Sequence, residues 1–145
     1  MSPLNWGIGH ASRLVPVANY LHQQGVEVFI CASGAALHLM KIECIYAKFI
    51  EDVPFEIAYG QSKTSNILKL TGQLPKMWWQ IYKEHQLLKK LVSRYNIQYV
   101  ISDNRYGFYH RTIPSIFITH QLNIKAPFAE RFVNFLNHYF IKKTS

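Results

Sequence analysis

The chain has 145 residues, of which 49% are hydrophobic and 17% charged. This length suits one domain, and this much apolar character excludes a disordered tail. The chain has sixteen Lys and Arg and eight Asp and Glu, which gives a formal net charge of +8. Its only two cysteines are Cys31 and Cys44, which excludes a disulfide-stapled scaffold and a cysteine-rich zinc module. Because no secretory signal is visible, we expect a reducing, cytoplasmic setting in which both thiols are small buried hydrophobes.

Helices alternate with short apolar strands in the first half of the chain. The predicted elements are a helix over 10–24, a strand over 26–31, a helix over 34–42 and a strand over 45–50. Gly25 fits the end of the first helix, whereas Pro16 is awkward inside it.

The second half continues the alternation. Its predicted elements are a short helix over 66–71, a long helix over 75–94, strands over 99–102 and 115–119, and a helix over 126–142. Gly72 and Pro75 are expected to separate the two helices, since proline fits best in a first turn. The alternation predicts an α/β fold, with a Rossmann-like parallel sheet and helices on both faces.

The expected sheet lacks its first strand. A doubly wound domain begins with a strand followed by a glycine-rich turn, but only six residues precede the first glycine, Gly7. A central strand with about four buried side chains contributes roughly 6–12 kcal/mol, as much as the roughly 5–15 kcal/mol of a whole domain. We therefore expect residues 1–145 to be one domain truncated at its start.

A glycine turn just before the first helix is the first candidate site. Gly7 and Gly9 let the backbone approach a ligand, Asn5 stands beside them, and the helix start attracts an anion such as phosphate. A neutral imidazole at His10 would serve as a general base. Ser12 replaces the third glycine of a dinucleotide fingerprint, and an ordinary helix start remains the alternative.

Two further candidates follow predicted strands. Asp103, Asn104 and Arg105 suit sugar hydroxyls or phosphate, although a capped turn would explain them equally. The third candidate is the polar group of His120, Gln121 and Asn123. Because ligands of open α/β sheets bind at the carboxyl ends of strands, all three candidates are predicted to line one cleft.

Most of the positive charge lies in one region. Residues 63–94 carry seven basic residues and one acid, Glu84. Within this region Lys76, Lys83 and Lys90 recur every seven residues, and Trp78 and Trp79 stand between them. This pattern is typical of a helix that lies on an anionic membrane surface, but also of a core helix with a solvated lysine face. Nucleic-acid binding is the weaker interpretation, because the basic residues are confined to one heavily apolar helix.

Three segments resemble a bacterial glycosyltransferase family. They are Pro-Leu-Asn-Trp-Gly-Ile-Gly-His-Ala-Ser-Arg at 3–13, Ile-Ser-Asp-Asn-Arg-Tyr-Gly at 101–107 and Phe-Ile-Thr-His-Gln-Leu-Asn at 117–123. The chain is similar to the lipid-linked N-acetylglucosamine transferase of peptidoglycan synthesis and to the diacylglycerol galactosyltransferases. Those enzymes have the GT-B architecture, in which two Rossmann-like domains face each other across a cleft.

The resemblance implies that this chain is the acceptor-binding half of a nucleotide-sugar-dependent, inverting hexosyltransferase, peripheral at the inner face of the plasma membrane. His10 would be the candidate base, and the donor nucleotide would lie on a C-terminal domain that follows, so turnover by this chain alone is not expected. No metal or other cofactor is implied. The segment 120–123 departs from the His-Glu-Gln-Asn of the peptidoglycan enzyme at Gln121 and Leu122. A non-catalytic membrane-surface module and a sugar-nucleotide epimerase of the same architecture are the alternatives.

Overall fold

A computed structural model describes residues 1–5, 7–52 and 63–119. These residues form a mixed α/β fold with three helices and small parallel sheets, as the sequence predicts at the level of fold class. The helices are α1 (Ile8–Gln23), α2 (Gly34–Glu43) and α3 (Lys63–Tyr95). The strands are β1 (Ser2–Pro3), β2 (Phe29–Ala32), β3 (Lys48–Glu51), β4 (Val100–Asp103) and β5 (Ser115–Ile118). The helix predicted over 126–142 lies outside the described residues.

All strand pairings in the described residues are parallel. One sheet has the order β1-β4-β5, and the other pairs β2 with β3. The two sheets meet at β1, because the Cys31 amide donates to the Met1 carbonyl at 2.9 Å and the Met1 amino group donates to the Phe29 carbonyl at 2.5 Å. The strands therefore lie side by side in the order β3-β2-β1-β4-β5, with their carboxyl ends at one edge.

The expectation of a missing first strand needs correction. Ser2 and Pro3 form a two-residue strand that lies between β2 and β4, with both side chains buried. Sequence patterns do not predict this strand, because neither residue has the β-branched or aromatic side chain that is common in strands. Its place is fixed by partners distant in sequence, since the Leu4 amide continues the pairing by donating to the Asp103 carbonyl at 3.0 Å.

The predicted break between two helices is also wrong. Gly72 and Pro75 lie inside the single helix α3, and Pro16 likewise lies inside α1. Proline removes one main-chain hydrogen bond from a helix interior. Pro75 itself is exposed. Tertiary packing further along, through Leu88 and Leu91, then holds the helix against the sheet.

Apolar side chains divide the core between the two faces of the strands. Because side chains alternate along a strand, Ile30 and Ala32 contact α1 and α2, whereas Cys31 between them contacts the α3 side. Leu14 of α1 and Met40 of α2 are fully buried on the first face. The result is a layer of strands covered by α1 and α2 on one face and by α3 on the other.

Both cysteines are buried and free, as predicted. Burial raises the pKa of the Cys31 thiol to about 11 and also raises the pKa of Cys44. At pH 8 about one Cys31 thiol in a thousand is therefore ionised, and the thiolate is the reactive form.

We expect neither thiol of the native chain to react within minutes with an aromatic disulfide reagent, while both react at once in guanidinium. Rapid modification of the native chain would contradict this packing.

Candidate functional site

Three charged or titratable side chains meet at the carboxyl edge of the strands, on the face that α1 covers. The His10 Nδ1 atom lies 3.1 Å from Asp103 Oδ1. The Arg13 Nη2 atom lies 2.9 Å from His10 Nδ1 and 3.3 Å from Asp103 Oδ2. We call these three residues the His10 cluster.

The local sequence explains how the His10 cluster forms. Gly7 precedes α1 with φ 84°, a left-handed conformation that favours glycine, so the helix begins directly behind β1. His10 and Arg13 are three residues apart and therefore lie on one helix face. Asp103 is the last residue of β4 and is fully buried, and a buried carboxylate needs partners of this kind.

The cluster suits an imidazole that exchanges protons. Arginine only donates hydrogen bonds and an ionised carboxylate only accepts them. Because arginine only donates, His10 Nδ1 accepts from Arg13 and the neutral ring carries its proton on Nε2. The Asp103 carboxylate lies 3.1 Å from the same Nδ1 atom and adds negative charge beside the ring. The bond from Arg13 fixes the orientation of the ring, which is what a general base or acid requires.

A second polar cluster lies at the same edge, on the α3 face. The buried Arg105 guanidinium donates to Ser2 Oγ at 2.8 Å and to Asp52 Oδ2 at 2.5 Å. It also donates to Glu84 Oε1, from Nη2 at 2.9 Å and from Nε at 3.1 Å. Ser2 in turn donates to the Cys31 carbonyl at 2.7 Å. We call Arg105 with Ser2, Asp52 and Glu84 the Arg105 clasp.

Electrostatics keep the Arg105 clasp charged. Burial by itself disfavours the guanidinium cation, but Glu84 and Asp52 outweigh this effect and raise the pKa of Arg105. The guanidinium also lies over the Phe108 ring, 4.1 Å from its centroid. The charge of Arg105, which the sequence analysis assigns to phosphate or sugar binding, is thus already balanced by two carboxylates.

A small pocket of about 30 Å³ opens between the strand edge and α3. It is lined by Leu4, Asn5, Ser33, Asp52, Gln80, Glu84 and Arg105. The residues after β1, β2, β3 and β4 all contribute, and α3 supplies the remaining wall. We call this cavity the edge pocket.

The structure brings together two of the three predicted candidates. The first and second candidates meet through the contact of His10 with Asp103, and Asn5 and Arg105 share the edge pocket. Gly7 and Gly9 lie at the exposed start of α1. Asn104 is buried between the two clusters, with φ 55°. His120, Gln121 and Asn123 lie outside the described residues.

Sequence reasoning missed Arg13, Asp52 and Glu84 as site residues. Glu84 carried a usable signal, because it is the only acid among the seven basic residues of 63–94. A single acidic residue among many basic ones is more easily explained by an ion pair with a particular basic side chain than by exposure on a solvated helix face. Arg13 had a weaker signal in its spacing from His10, and Asp52 had only its position after a predicted strand.

The aromatic and basic residues of α3 lie on its surface. Trp78, Trp79 and Tyr82 are exposed by 49%, 58% and 53%. Trp79 stacks on Tyr82 with 5.6 Å between ring centroids, and Lys83 Nζ lies 5.5 Å from the Trp79 centroid. Lys76, Lys83 and Lys90 are exposed as well. We call Trp78, Trp79, Tyr82 and these three lysines the aromatic-basic face.

Within the described ranges, no helix is both long and apolar enough to pass through a bilayer. The same ranges contain no group of three His, Cys, Asp or Glu side chains placed to hold a metal ion.

The close approach of α3 to the Arg105 loop gives a stability prediction. A Cβ atom at Gly107 would lie 2.5 Å from the Ile81 carbonyl oxygen and 2.8 Å from Glu84 Oε2. Gly107→Ala should therefore lower the free energy of unfolding by about 1–3 kcal/mol. Gly9→Ala is the matched control, since a Cβ there meets nothing within 4 Å; it should be neutral or stabilising by up to about 1 kcal/mol. Urea denaturation of both variants measures the difference, and equal stabilities would contradict the packing.

Comparison of the chain with protein-family models, with curated proteins and with solved structures gave no match. Function is therefore inferred from the side chains that the described residues bring together.

Proposed function

We propose that this chain is the acceptor-binding half of a nucleotide-sugar-dependent, inverting glycosyltransferase of the GT-B type. The observation that carries the proposal is the contact of His10 with Asp103 at 3.1 Å. It lies at the carboxyl edge of parallel strands, directly behind the glycine turn that begins α1. In open α/β sheets this edge is where ligands bind.

The strand arrangement supports the proposal. The order β3-β2-β1-β4-β5, with helices on both faces, is the order of a doubly wound nucleotide-binding half. In that arrangement the strand order reverses between β1 and β4. Asp103 ends β4 and His10 follows β1, so the His10 cluster lies at the reversal, where the crevice of such folds opens.

The chemistry assigned to the cluster is proton removal from an acceptor hydroxyl. The hydroxyl oxygen attacks the anomeric carbon of the donor sugar as the bond from that carbon to the diphosphate breaks, and the nucleotide leaves with the bonding electrons. The proton passes to His10 Nε2 in the tautomer that carries its other hydrogen on Nδ1. In that tautomer Arg13 gives up its bond to Nδ1 and donates to Asp103 alone, and the carboxylate, 3.1 Å from Nδ1, stabilises the imidazolium. The resemblance places the donor nucleotide on a second domain, where helix dipoles and side chains stabilise the departing diphosphate.

A second role, compatible with the first, is attachment to an anionic membrane surface. The exposed Trp78, Trp79 and Tyr82 side chains favour the interface between lipid headgroups and acyl chains. The exposed lysines add about 1 kcal/mol each near an anionic leaflet, which gives weak, reversible binding. A surface of this kind would bring a lipid acceptor to the cleft.

Substitution in the His10 cluster tests the transfer reaction. In the full-length protein, His10→Asn should lower the rate of hexose transfer from a UDP-sugar to a diacylglycerol by about 10²–10⁴-fold, because the base is lost. Asp103→Asn should lower it as well. His38→Asn, an exposed histidine on α2, is the matched control and should leave the rate unchanged. Thermal unfolding curves establish that the variants fold, and a folded His10→Asn variant with normal transfer would overturn the proposal.

Titration of UDP-sugars onto this chain alone tests the proposal that it binds the acceptor and not the donor. We expect no tight binding, because the donor is assigned to another domain. Tight binding, or interconversion of UDP-sugars without any acceptor, would contradict the acceptor assignment and favour an epimerase.

Vesicle sedimentation tests the aromatic-basic face. Lys83→Glu should weaken binding to vesicles rich in phosphatidylglycerol by about fivefold or more, because each lysine near the leaflet contributes about 1 kcal/mol. Lys41→Glu makes the same change of charge on α2, on the other face of the strands, and should have no effect. Replacing both Trp78 and Trp79 by Ala should also weaken binding. Absence of binding at low salt, or equal losses for the two lysine variants, would exclude this role.

A further inference from the structure

We propose that the edge pocket is a recognition site for a hydrogen-bond-donating group, a hydroxyl or an ammonium, on a ligand without negative charge. This inference goes beyond the transfer reaction proposed above and does not depend on it, since it concerns binding on the α3 face of the strand edge. Three features support it: the size of the cavity, the charge of its lining and the fact that the Arg105 guanidinium already donates to protein groups.

The size of the edge pocket limits what can enter. Its volume is about 30 Å³, more than the roughly 10–15 Å³ that one water molecule requires. A hydroxymethyl or aminomethyl tip fits. The pocket therefore receives the end of a larger ligand that lies across the strand edge.

The charge of the lining disfavours anions. Asp52 and Glu84 bring two negative charges, and Arg105 brings one positive charge. The start of α2 at Ser33 adds about half a positive charge from the helix dipole, and Ser33 forms no side-chain cap there. The lining stays negative on balance, so an entering anion would be repelled.

The Arg105 donors are already used within the protein. The guanidinium directs its hydrogen bonds at Ser2, Asp52 and Glu84. An anion could gain those donors only by displacing a carboxylate from a buried ion pair, which is costly.

The lining also offers hydrogen-bond acceptors to a ligand. The amide oxygens of Asn5 and Gln80 and the hydroxyl oxygen of Ser33 can accept hydrogen bonds. A ligand hydroxyl or ammonium group supplies the donors that these atoms require.

Nuclear magnetic resonance on the ¹⁵N-labelled chain tests the inference. The side-chain amide signals of Asn5 and Gln80 report on the pocket during separate titrations with glycerol, ethanolamine and inorganic phosphate. We expect saturable shifts of both signals with glycerol, ethanolamine or both, at dissociation constants below about 100 mM. Stronger binding of glycerol identifies a hydroxyl ligand, and stronger binding of ethanolamine identifies an ammonium ligand. Phosphate should bind at least about tenfold more weakly than the better of the two.

Variants localise the binding. Gln80→Met keeps the side-chain length but removes the amide. It should weaken binding of the preferred probe about tenfold, as expected for one lost hydrogen bond. The Asn5 side-chain signal reports binding to this variant. Gln86→Met changes the same residue type on α3 outside the lining and should bind normally. His10→Asn should also bind normally, so that loss of transfer and loss of pocket binding are separate results. Saturable phosphate shifts as strong as those of the better probe, or no saturable shift with either donor probe, would overturn the inference.

Discussion

The buried guanidinium of Arg105 connects four parts of the chain that are far apart in sequence. Its hydrogen bonds reach Ser2 in β1, Asp52 after β3 and Glu84 in α3, while Arg105 itself follows β4. Removing Arg105 would leave two carboxylates uncompensated in the interior, so these elements are held together through this one side chain. Gly107 completes the arrangement, because its amide donates to Glu84 Oε2 at 3.2 Å and its missing side chain lets α3 approach. The edge pocket exists because this clasp fixes α3 over the strand ends.

Three consecutive residues at the end of β4 serve both faces of the layer of strands. Asp103 turns towards α1, where His10 and Arg13 contact it, and Arg105 turns towards α3. Asn104 lies between them in the left-handed conformation, which asparagine tolerates better than most residues. The His10 cluster and the edge pocket are thereby placed at one edge, on opposite sides. A ligand lying across this edge could reach both.

Much of the fold could be predicted from local pattern. The limits of α1 and α2 and the positions of β2 to β5 follow from hydrophobic periodicity and from the turn residues between them, because burial of an apolar face imposes that periodicity. The meeting of His10 with Asp103 followed from the rule that strand ends share an edge. The continuity of α3 through Gly72 and Pro75 could not be predicted, since packing further along the helix outweighs the local preference of those residues.

By itself the sequence determined an α/β class, a glycine turn that begins α1, an Asp-Asn-Arg segment after a strand and a concentration of basic charge with paired tryptophans. These features are local, and each follows from neighbours a few residues apart. Only the tertiary structure decided that Ser2 and Pro3 form a central strand, that Arg13 joins His10 and Asp103, and that Arg105 is neutralised by Asp52 and Glu84. Contacts such as that of Arg105 with Ser2 span more than a hundred residues, and no local pattern encodes which charges will meet in the interior.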